Sequence, residues 1–286
     1  MHKLHKYLNS FDQFALRYKK PIGIFVAVLA IVLLAYKLIS ESQNERLSLN
    51  FDWNFTAIAI GFLVITFLLN HLLDALVWKS ILSSNQIYIS LLKSLSINWK
   101  SIFYSVSTPA NLGEIVARRL YLDQENKTKV YKASGLHYVL KSVAYALLCL
   151  LLLTYYFLGL LAFVLMIISI VLLSFYFKKS KILLFTSLNV IKTLIYSFQH
   201  LILIYVCFSI QVFEFQNLMN ISFIHSFTAL IPSWFASNLV LKTLMFPMLS
   251  FSISFAQFGF SVFLLWLINI CVPAFCSLFI PLKSND

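Results

Sequence analysis

The chain has little charge. Charged residues make up 11% of its 286 residues and hydrophobic residues 60%, whereas a soluble domain carries about 25% charged residues. So few charged side chains cannot cover a water-exposed surface, which excludes a soluble globular protein. Apolar runs of roughly the 20 residues needed to cross hydrocarbon recur along the whole length. The composition predicts one multi-pass membrane domain, residues 1–286, in the cell (inner) membrane.

Acidic residues are the scarcer of the two charged types. Lys and Arg number 22 against 10 Asp and Glu, which gives a net charge of +12. The basic residues fall in short segments between the apolar runs, the pattern of the positive-inside rule. Membrane topology and anionic lipid headgroups account for this excess, so we predict membrane lipid, and no nucleic acid, as the partner.

The chain also lacks the motifs that hold metals and nucleotides. Its four cysteines, Cys149, Cys207, Cys271 and Cys276, lie within apolar runs and have no metal-ligand spacing. A phosphate-binding loop of the Gly-x-x-x-x-Gly-Lys-Ser/Thr type is absent. We therefore predict no metal, no cofactor, no catalytic residue and no intrinsic ATPase activity.

Hydrophobicity predicts six spans, at residues 22–39, 55–78, 136–157, 160–177, 194–213 and 260–280. Basic residues assign the N-terminal segment 1–20 and the loop 123–132 to the cytoplasm, and the acidic loop 40–54 to the outside. Residues Leu158-Gly159 leave room only for a tight external turn between two spans. Together with two interrupted segments, the pattern predicts an all-α bundle of about six to eight spans.

The first interrupted segment covers residues 90–122 and contains the stretch SVSTPANLGEIVARRLYL. Pro109 lacks an N–H and biases Thr108 away from helix, so one helix should end before it and another restart there. Thr108 or Asn111 is placed to cap the restarted helix, and Gly113 follows as a small structural residue. Free N–H groups and the positive end of the helix dipole would then point at a ligand near Thr108.

Polar residues approach this interruption along one helical face, at Ser94, Asn98, Ser101, Ser105 and Thr108. Two interpretations remain open. Such side chains form hydrogen bonds between helices in membrane bundles, or they line a hydrophilic path towards the interruption.

Three charged residues follow the interruption. Glu114 and Arg118 stand four apart with the acid first, the favourable order for a helical ion pair. This pair either fixes the topology near the interface or belongs to a binding site. Arg119 has no partner at that spacing, so its guanidinium is a candidate for binding a phosphate.

The second interrupted segment covers residues 221–250 and resembles a degenerate copy of the first. Aligning Pro232 with Pro109 places Ala236 at Gly113 and Lys242 at Arg119, and Ser233 follows the proline. Paired interrupted segments in the two halves of a membrane chain indicate a transporter binding site, and both are predicted to be re-entrant.

Four further polar residues lie within apolar runs: Asn70, His71, Asp74 and His200. An ionisable group inside a span is a functional hypothesis by default. Asp74 is either such a group or the partner of a cytoplasmic lysine. His200 is predicted to be a hydrogen-bonded packing residue.

The stretch TPANLGEIVARRLYL resembles the Thr-Pro, Gly-Glu and Arg signature of the lysylphosphatidylglycerol synthase transmembrane region, a flippase-like family. Thr108, Pro109, Gly113, Glu114 and Arg118 carry the resemblance. In the family's second motif, Pro-Ser precedes a glycine-rich part and Arg-Glu. Here Pro232-Ser233 match this motif, but the residues that follow them differ from the glycine-rich part and from Arg-Glu. The resemblance implies a helical bundle with re-entrant segments that moves lipids between leaflets.

The leading hypothesis is therefore a translocase for an anionic phospholipid or polyprenyl-linked lipid, bound between the two interrupted segments. An alternative is a membrane transferase acting on a lipid-linked donor, for which only Asp74 and Glu114 are plausible bases. A third interpretation is a non-catalytic partner of a synthase or glycosyltransferase. The oligomeric state is not predicted.

Overall fold

The computed structural model describes residues 53–106, 112–122, 127–176, 181–210, 212–231, 235–245, 253–277 and 279. The predicted span 22–39, the segment 1–20 and nearly all of the loop 40–54 lie outside these ranges. So do five residues singled out from the sequence: Thr108, Pro109, Asn111, Pro232 and Ser233.

All regular elements within the described ranges are helices. In chain order they are α1 (Trp53–Ser84), α2 (Leu91–Val106), α3 (Leu112–Leu120), α4 (Lys127–Tyr176), α5 (Lys181–Phe208), α6 (Phe215–Leu230), α7 (Phe235–Leu244), α8 (Phe255–Trp266) and α9 (Val272–Cys276). A π-helical turn, Leu267–Cys271, joins α8 to α9.

Four helical segments are long and apolar enough to cross a membrane: Ala57–Ser84, Thr128–Gly159, Lys181–Phe208 and Gln257–Cys276. They confirm the predicted class, an all-α membrane protein. The boundaries of α5 correct the predicted span 194–213, because the helix begins at Lys181 and ends at Phe208. The polar residues in its first half face the protein interior, and the sequence pattern alone assigned them to a loop.

The predicted turn at Leu158-Gly159 coincides with a break in α4. Gly159 has φ 81° and ψ 179°, so its backbone is not helical although helix continues on both sides. A residue with a side chain rarely adopts this positive φ, which is why glycine stands here. The sequence signal for an interruption was therefore correct at this position.

Two helices border the proline of each interrupted segment. α2 ends at Val106 and α3 begins at Leu112, and Pro109 lies between them, outside the described residues. α6 ends at Leu230, with Ile231 extended, and α7 begins at Phe235, on either side of Pro232. The two helices of each segment pack against each other. Whether the two segments are a repeat, and whether they are re-entrant, remain predictions.

The most extensive helix–helix packing within the described residues is between α1 and α5. One apolar cluster surrounds Trp78 and Ile81 near one end of α1, and another surrounds Leu201 and Ile204 on α5. Buried polar side chains occupy the part of α5 between Phe185 and Leu201. A polar interior therefore lies along the helix between two apolar clusters.

A proline follows the π-helical turn closely. The N–H of Val272 donates to the carbonyl of Leu267, five residues back. Pro273 has no N–H, so it cannot donate to the carbonyl of Asn269 four residues earlier. The side chain of Asn269 is buried within this turn.

Candidate binding site

A cavity of about 290 Å³ lies in the polar interior. Its walls come from helices on both sides of each interruption. Acidic and lysine side chains line it from five helices: Asp74 on α1, Glu114 on α3, Lys141 on α4, Lys192 on α5 and Lys242 on α7. The cavity is the meeting point of the two interrupted segments and the long helices.

Asp74 is the centre of the charged network. Its carboxylate lies 3.1 Å from Lys141 Nζ and 3.4 Å from Arg118 Nη2, and Lys192 Nζ contacts it as well. Asn98 donates a hydrogen bond to the same carboxylate at 3.1 Å. One side chain of α1 thus connects α2, α3, α4 and α5. Asp74 pairs with two lysines, Lys141 and Lys192, and both of them line the cavity. A functional role of Asp74 itself remains a prediction.

The predicted helical ion pair between Glu114 and Arg118 is confirmed, with Arg118 Nη2 2.5 Å from Glu114 Oε1. Lys141 Nζ approaches the same carboxylate oxygen at 3.3 Å. Arg118 is only 2% exposed, and its guanidinium lies 4.4 Å from the Trp78 ring and contacts His137. Since Glu114 lines the cavity and Arg118 is buried beside Asp74, the pair belongs to the charged network of the site.

The structure gives Arg119 a partner that the sequence did not indicate. Its Nη1 donates a hydrogen bond of 2.7 Å to the Tyr131 hydroxyl, and its guanidinium lies 5.1 Å from the Tyr131 ring. Arg119 is buried and is not among the residues that line the cavity. The absence of an intrahelical partner was therefore a poor indicator of a free guanidinium, because the partner comes from α4.

The polar face of α2 combines both interpretations. Ser94 donates to the Ala75 carbonyl at 2.7 Å, and Asn98 bonds to Asp74, so this part links helices. Ser105, one turn before the interruption, lines the cavity. Gly113 is buried at the start of α3, as expected for a small structural residue.

Two of the predicted intramembrane polar residues, Asn70 and His71, line the cavity with Asp74. Asn70 Nδ2 donates to Asn269 Oδ1 at 3.2 Å, and Asn269 Nδ2 donates to Gln199 Oε1 at 2.9 Å. These amides connect α1, the π-helical turn and α5 across the bundle.

His200 belongs to a hydrogen-bonded chain that reaches the cavity wall. Its Nε2 lies 2.8 Å from Ser261 Oγ, and its Nδ1 lies 3.2 Å from His225 Nε2. The Ser261 hydroxyl donates to the Phe258 carbonyl at 2.7 Å, so His200 Nε2 carries the hydrogen and His200 Nδ1 accepts. His225 Nε2 therefore donates. His200 is the hydrogen-bonded packing residue that the sequence predicted, and His225 lines the cavity.

Lys242 is the most isolated base of the site. Its Nζ lies 5.5 Å from the Tyr196 ring, and among the residues that the structure describes it forms no ion pair. Its helix, α7, is outside the four candidate spans, and burial lowers the pKa of Lys242 to about 8. The alignment of the two interrupted segments had already selected Lys242.

Sequence reasoning missed several residues of the site, namely His137, Lys141, Lys192 and His225. Lys141 was detectable, because an ionisable residue inside the predicted span 136–157 indicates function by itself. Lys192 was attributed to a cytoplasmic basic group because the start of α5 was misplaced. Nothing in the local sequence distinguishes His137 or His225 from packing residues.

The network carries an excess of positive charge. Two carboxylates, Asp74 and Glu114, face four bases, Arg118, Lys141, Lys192 and Lys242. No group of three or more His, Cys, Asp or Glu side chains in the described ranges could hold a metal ion. The excess of positive charge makes this site suited to the binding of an anion.

Comparisons with known proteins return no match: no family model, curated protein or solved structure matches this chain. The resemblance of residues 108–122 to the flippase-like family thus remains a prediction.

Proposed function

We propose that this protein is a lipid translocase that binds an anionic headgroup in the cavity between its two interrupted segments. The observation that carries the proposal is the excess of bases over carboxylates at the cavity, four against two among the residues that the structure describes. An unpaired charge away from water is costly, so buried charges are paired or bound to a ligand. An anionic headgroup supplies the missing charge.

The position of the site supports transport rather than a permanent structural anion. Non-helical backbone at membrane depth is tolerated where it is buried or lines a wet cavity, and transporter sites form at such discontinuous helices. The cavity is lined by residues from α3 and α7, which directly follow the two interruptions, and by residues of the long helices α1, α4 and α5. Rocking of one group of helices against the other would expose the headgroup to each leaflet in turn. The resemblance to a flippase-like family agrees with this proposal.

The transferase alternative receives less support. The carboxylates considered as its base or metal ligand are Asp74 and Glu114. Asp74 and Glu114 are each engaged by at least two bases. Such pairing favours a structural and electrostatic role for both.

The test is leaflet exchange of a fluorescent anionic phospholipid in proteoliposomes that contain the purified protein. We expect exchange of the anionic lipid and little exchange of a zwitterionic one. Lys192→Gln should lower the rate by about 30-fold or more, because removing a buried charge from a charged contact costs at least 2 kcal/mol. Asp74 keeps Lys141 and Arg118 as partners in this variant, which protects the fold.

The matched control is Lys129→Gln, which removes the same charge from an exposed side chain on α4. It should exchange lipid at the wild-type rate. Equal rates for the Lys192→Gln variant and the wild type would contradict the proposal. If the wild type exchanges no lipid but consumes a lipid-linked donor, the transferase replaces the translocase.

A further inference from the structure

The charges of the cavity differ in how completely they are paired. Arg118, Lys141 and Lys192 share the carboxylates of Asp74 and Glu114 at contact distance. Among the residues that the structure describes, Lys242 forms no ion pair, and its Nζ lies 5.5 Å from the Tyr196 ring. The unpaired positive charge therefore has two components, one in the shared cluster and one on Lys242.

A ligand with one negative charge would balance only one of these components. A phosphodiester, which carries one charge, would leave either the shared cluster or Lys242 uncompensated within the cavity. A terminal phosphate carries about −1.5 to −2 at pH 7 and matches the excess of two. Lysine acts as a point charge on phosphate, and Lys141, Lys192 and Lys242 all line this cavity.

We propose that the ligand of this cavity carries a terminal phosphate with two negative charges, a phosphomonoester or diphosphate, and not a phosphodiester headgroup. This inference rests on the proposed function and specifies the substrate class of the same site. The shared chemistry is a dianionic phosphate, which is present on a lipid-linked phosphate and also on free phosphate. Lys242 is the residue that selects the second charge.

The test uses two lipids that differ by one methyl group and one charge, dioleoyl phosphatidic acid and dioleoyl phosphatidylmethanol. Binding of each to the purified full-length protein is measured in nanodiscs at pH 7. The wild type should prefer phosphatidic acid by about tenfold or more, which corresponds to 1.4 kcal/mol. Lys242→Gln should reduce this preference to about twofold or less.

Two matched variants separate charge from fold. Lys242→Arg keeps the positive charge and should keep the preference, and Lys129→Gln removes an exposed charge and should also keep it. The comparison of the two lipids on the wild type needs no variant, so a Lys242→Gln protein that fails to fold does not remove the test. In a final measurement, inorganic phosphate is added as a competitor, and it should displace little of the bound phosphatidic acid.

Each outcome has a defined meaning. Equal affinity of the wild type for the two lipids, with both lost in Lys192→Gln, overturns the dianion inference and leaves the anionic-lipid translocase standing. Retention of the preference in Lys242→Gln overturns the role of Lys242. Binding of neither lipid overturns the translocase as well. Tight binding of inorganic phosphate with no lipid binding keeps the dianionic site and assigns it to a soluble ligand.

Discussion

Lys192 of α5 and Asp74 of α1 form an ion pair across the centre of the bundle, although 118 positions separate them in the chain. The pair joins the two helices that pack most extensively within the described residues. Asp74 is also approached by Lys141 and Arg118. The lysines that line the cavity are therefore held by the same carboxylate that holds the helices together, and binding is coupled to packing.

Asp74→Asn should be the most destabilising single change in the network. It leaves Arg118, Lys141 and Lys192 with one carboxylate, and breaking the ion pair of a buried group such as Arg118 costs about 3–5 kcal/mol. The thermal unfolding midpoint in detergent should fall clearly for this variant. Glu214→Gln, which alters an exposed carboxylate, is the control and should change stability by less than about 0.5 kcal/mol. Equal midpoints for the two variants would exclude the central role of Asp74.

The double change Glu114→Gln with Arg118→Gln should recover part of the lipid exchange that Glu114→Gln loses. The single change leaves a buried guanidinium short of one partner, and the double change removes it. Recovery should be partial, because Arg118 also lies 3.4 Å from Asp74 and Lys141 also contacts Glu114. Exchange in proteoliposomes measures both variants. A double variant no better than the single one would rule out the pairing.

Arg119→Ala should leave binding of anionic lipid in the cavity unchanged. Its guanidinium is engaged by Tyr131 and does not line the cavity. Tyr131→Phe removes the same hydrogen bond from the other side and should give the same small loss of stability, about 1 kcal/mol. Lipid binding by native mass spectrometry checks the first expectation. A large loss of bound lipid in Arg119→Ala but not in Tyr131→Phe would show that Arg119 takes part in lipid binding.

Ser261→Ala should destabilise the protein by about 1–3 kcal/mol, because it leaves the buried N–H of His200 without an acceptor. The matched control is Ser197→Ala. Both serines are fully buried, but the Ser197 hydroxyl donates only to the Thr193 carbonyl of its own helix. The free energy of unfolding of Ser197→Ala should lie within about 0.5 kcal/mol of the wild-type value. Similar midpoints for the two alanine variants would contradict the hydrogen-bonded chain from Ser261 to His225.

Single-cysteine labelling in intact cells should place residue 127 inside the cell and residues of the loop 40–54 outside. The expectation follows from the basic and acidic partition of the loops. A membrane-impermeant maleimide is applied before and after permeabilisation. Labelling of Lys127→Cys in intact cells would reverse the predicted orientation.

Features that depend on residues close together in the sequence could be predicted, whereas contacts between distant helices could not. The end of α6 shortly before Pro232, the break at Gly159 and the pair Glu114–Arg118 all follow from neighbours within four residues. The contacts of Asp74 with Lys141 and Lys192 depend on how three helices are arranged, which no local pattern specifies.

The same limit explains the errors. Arg119 was selected because its helix offers no partner, and Tyr131 of the next helix supplies one. The start of α5 was misplaced because its first half is polar, although Thr186, Asn189 and Thr193 are buried against other helices. Polarity signals exposure only where the environment of a residue is water.

The π-helical turn at Leu267–Cys271 changes the direction in which a continuous helix presents its side chains. Each residue of an α-helix turns the chain by about 100°, and a π turn inserts one additional residue. The faces before and after it are therefore rotated against each other. Asn269 is directed to the amides of Asn70 and Gln199, while Val272 and Phe275 remain exposed on the outer surface. Deleting one residue from the turn would remove this rotation. The last helix could then direct Asn269 to the polar interior or keep Val272 and Phe275 at the outer surface, but not both.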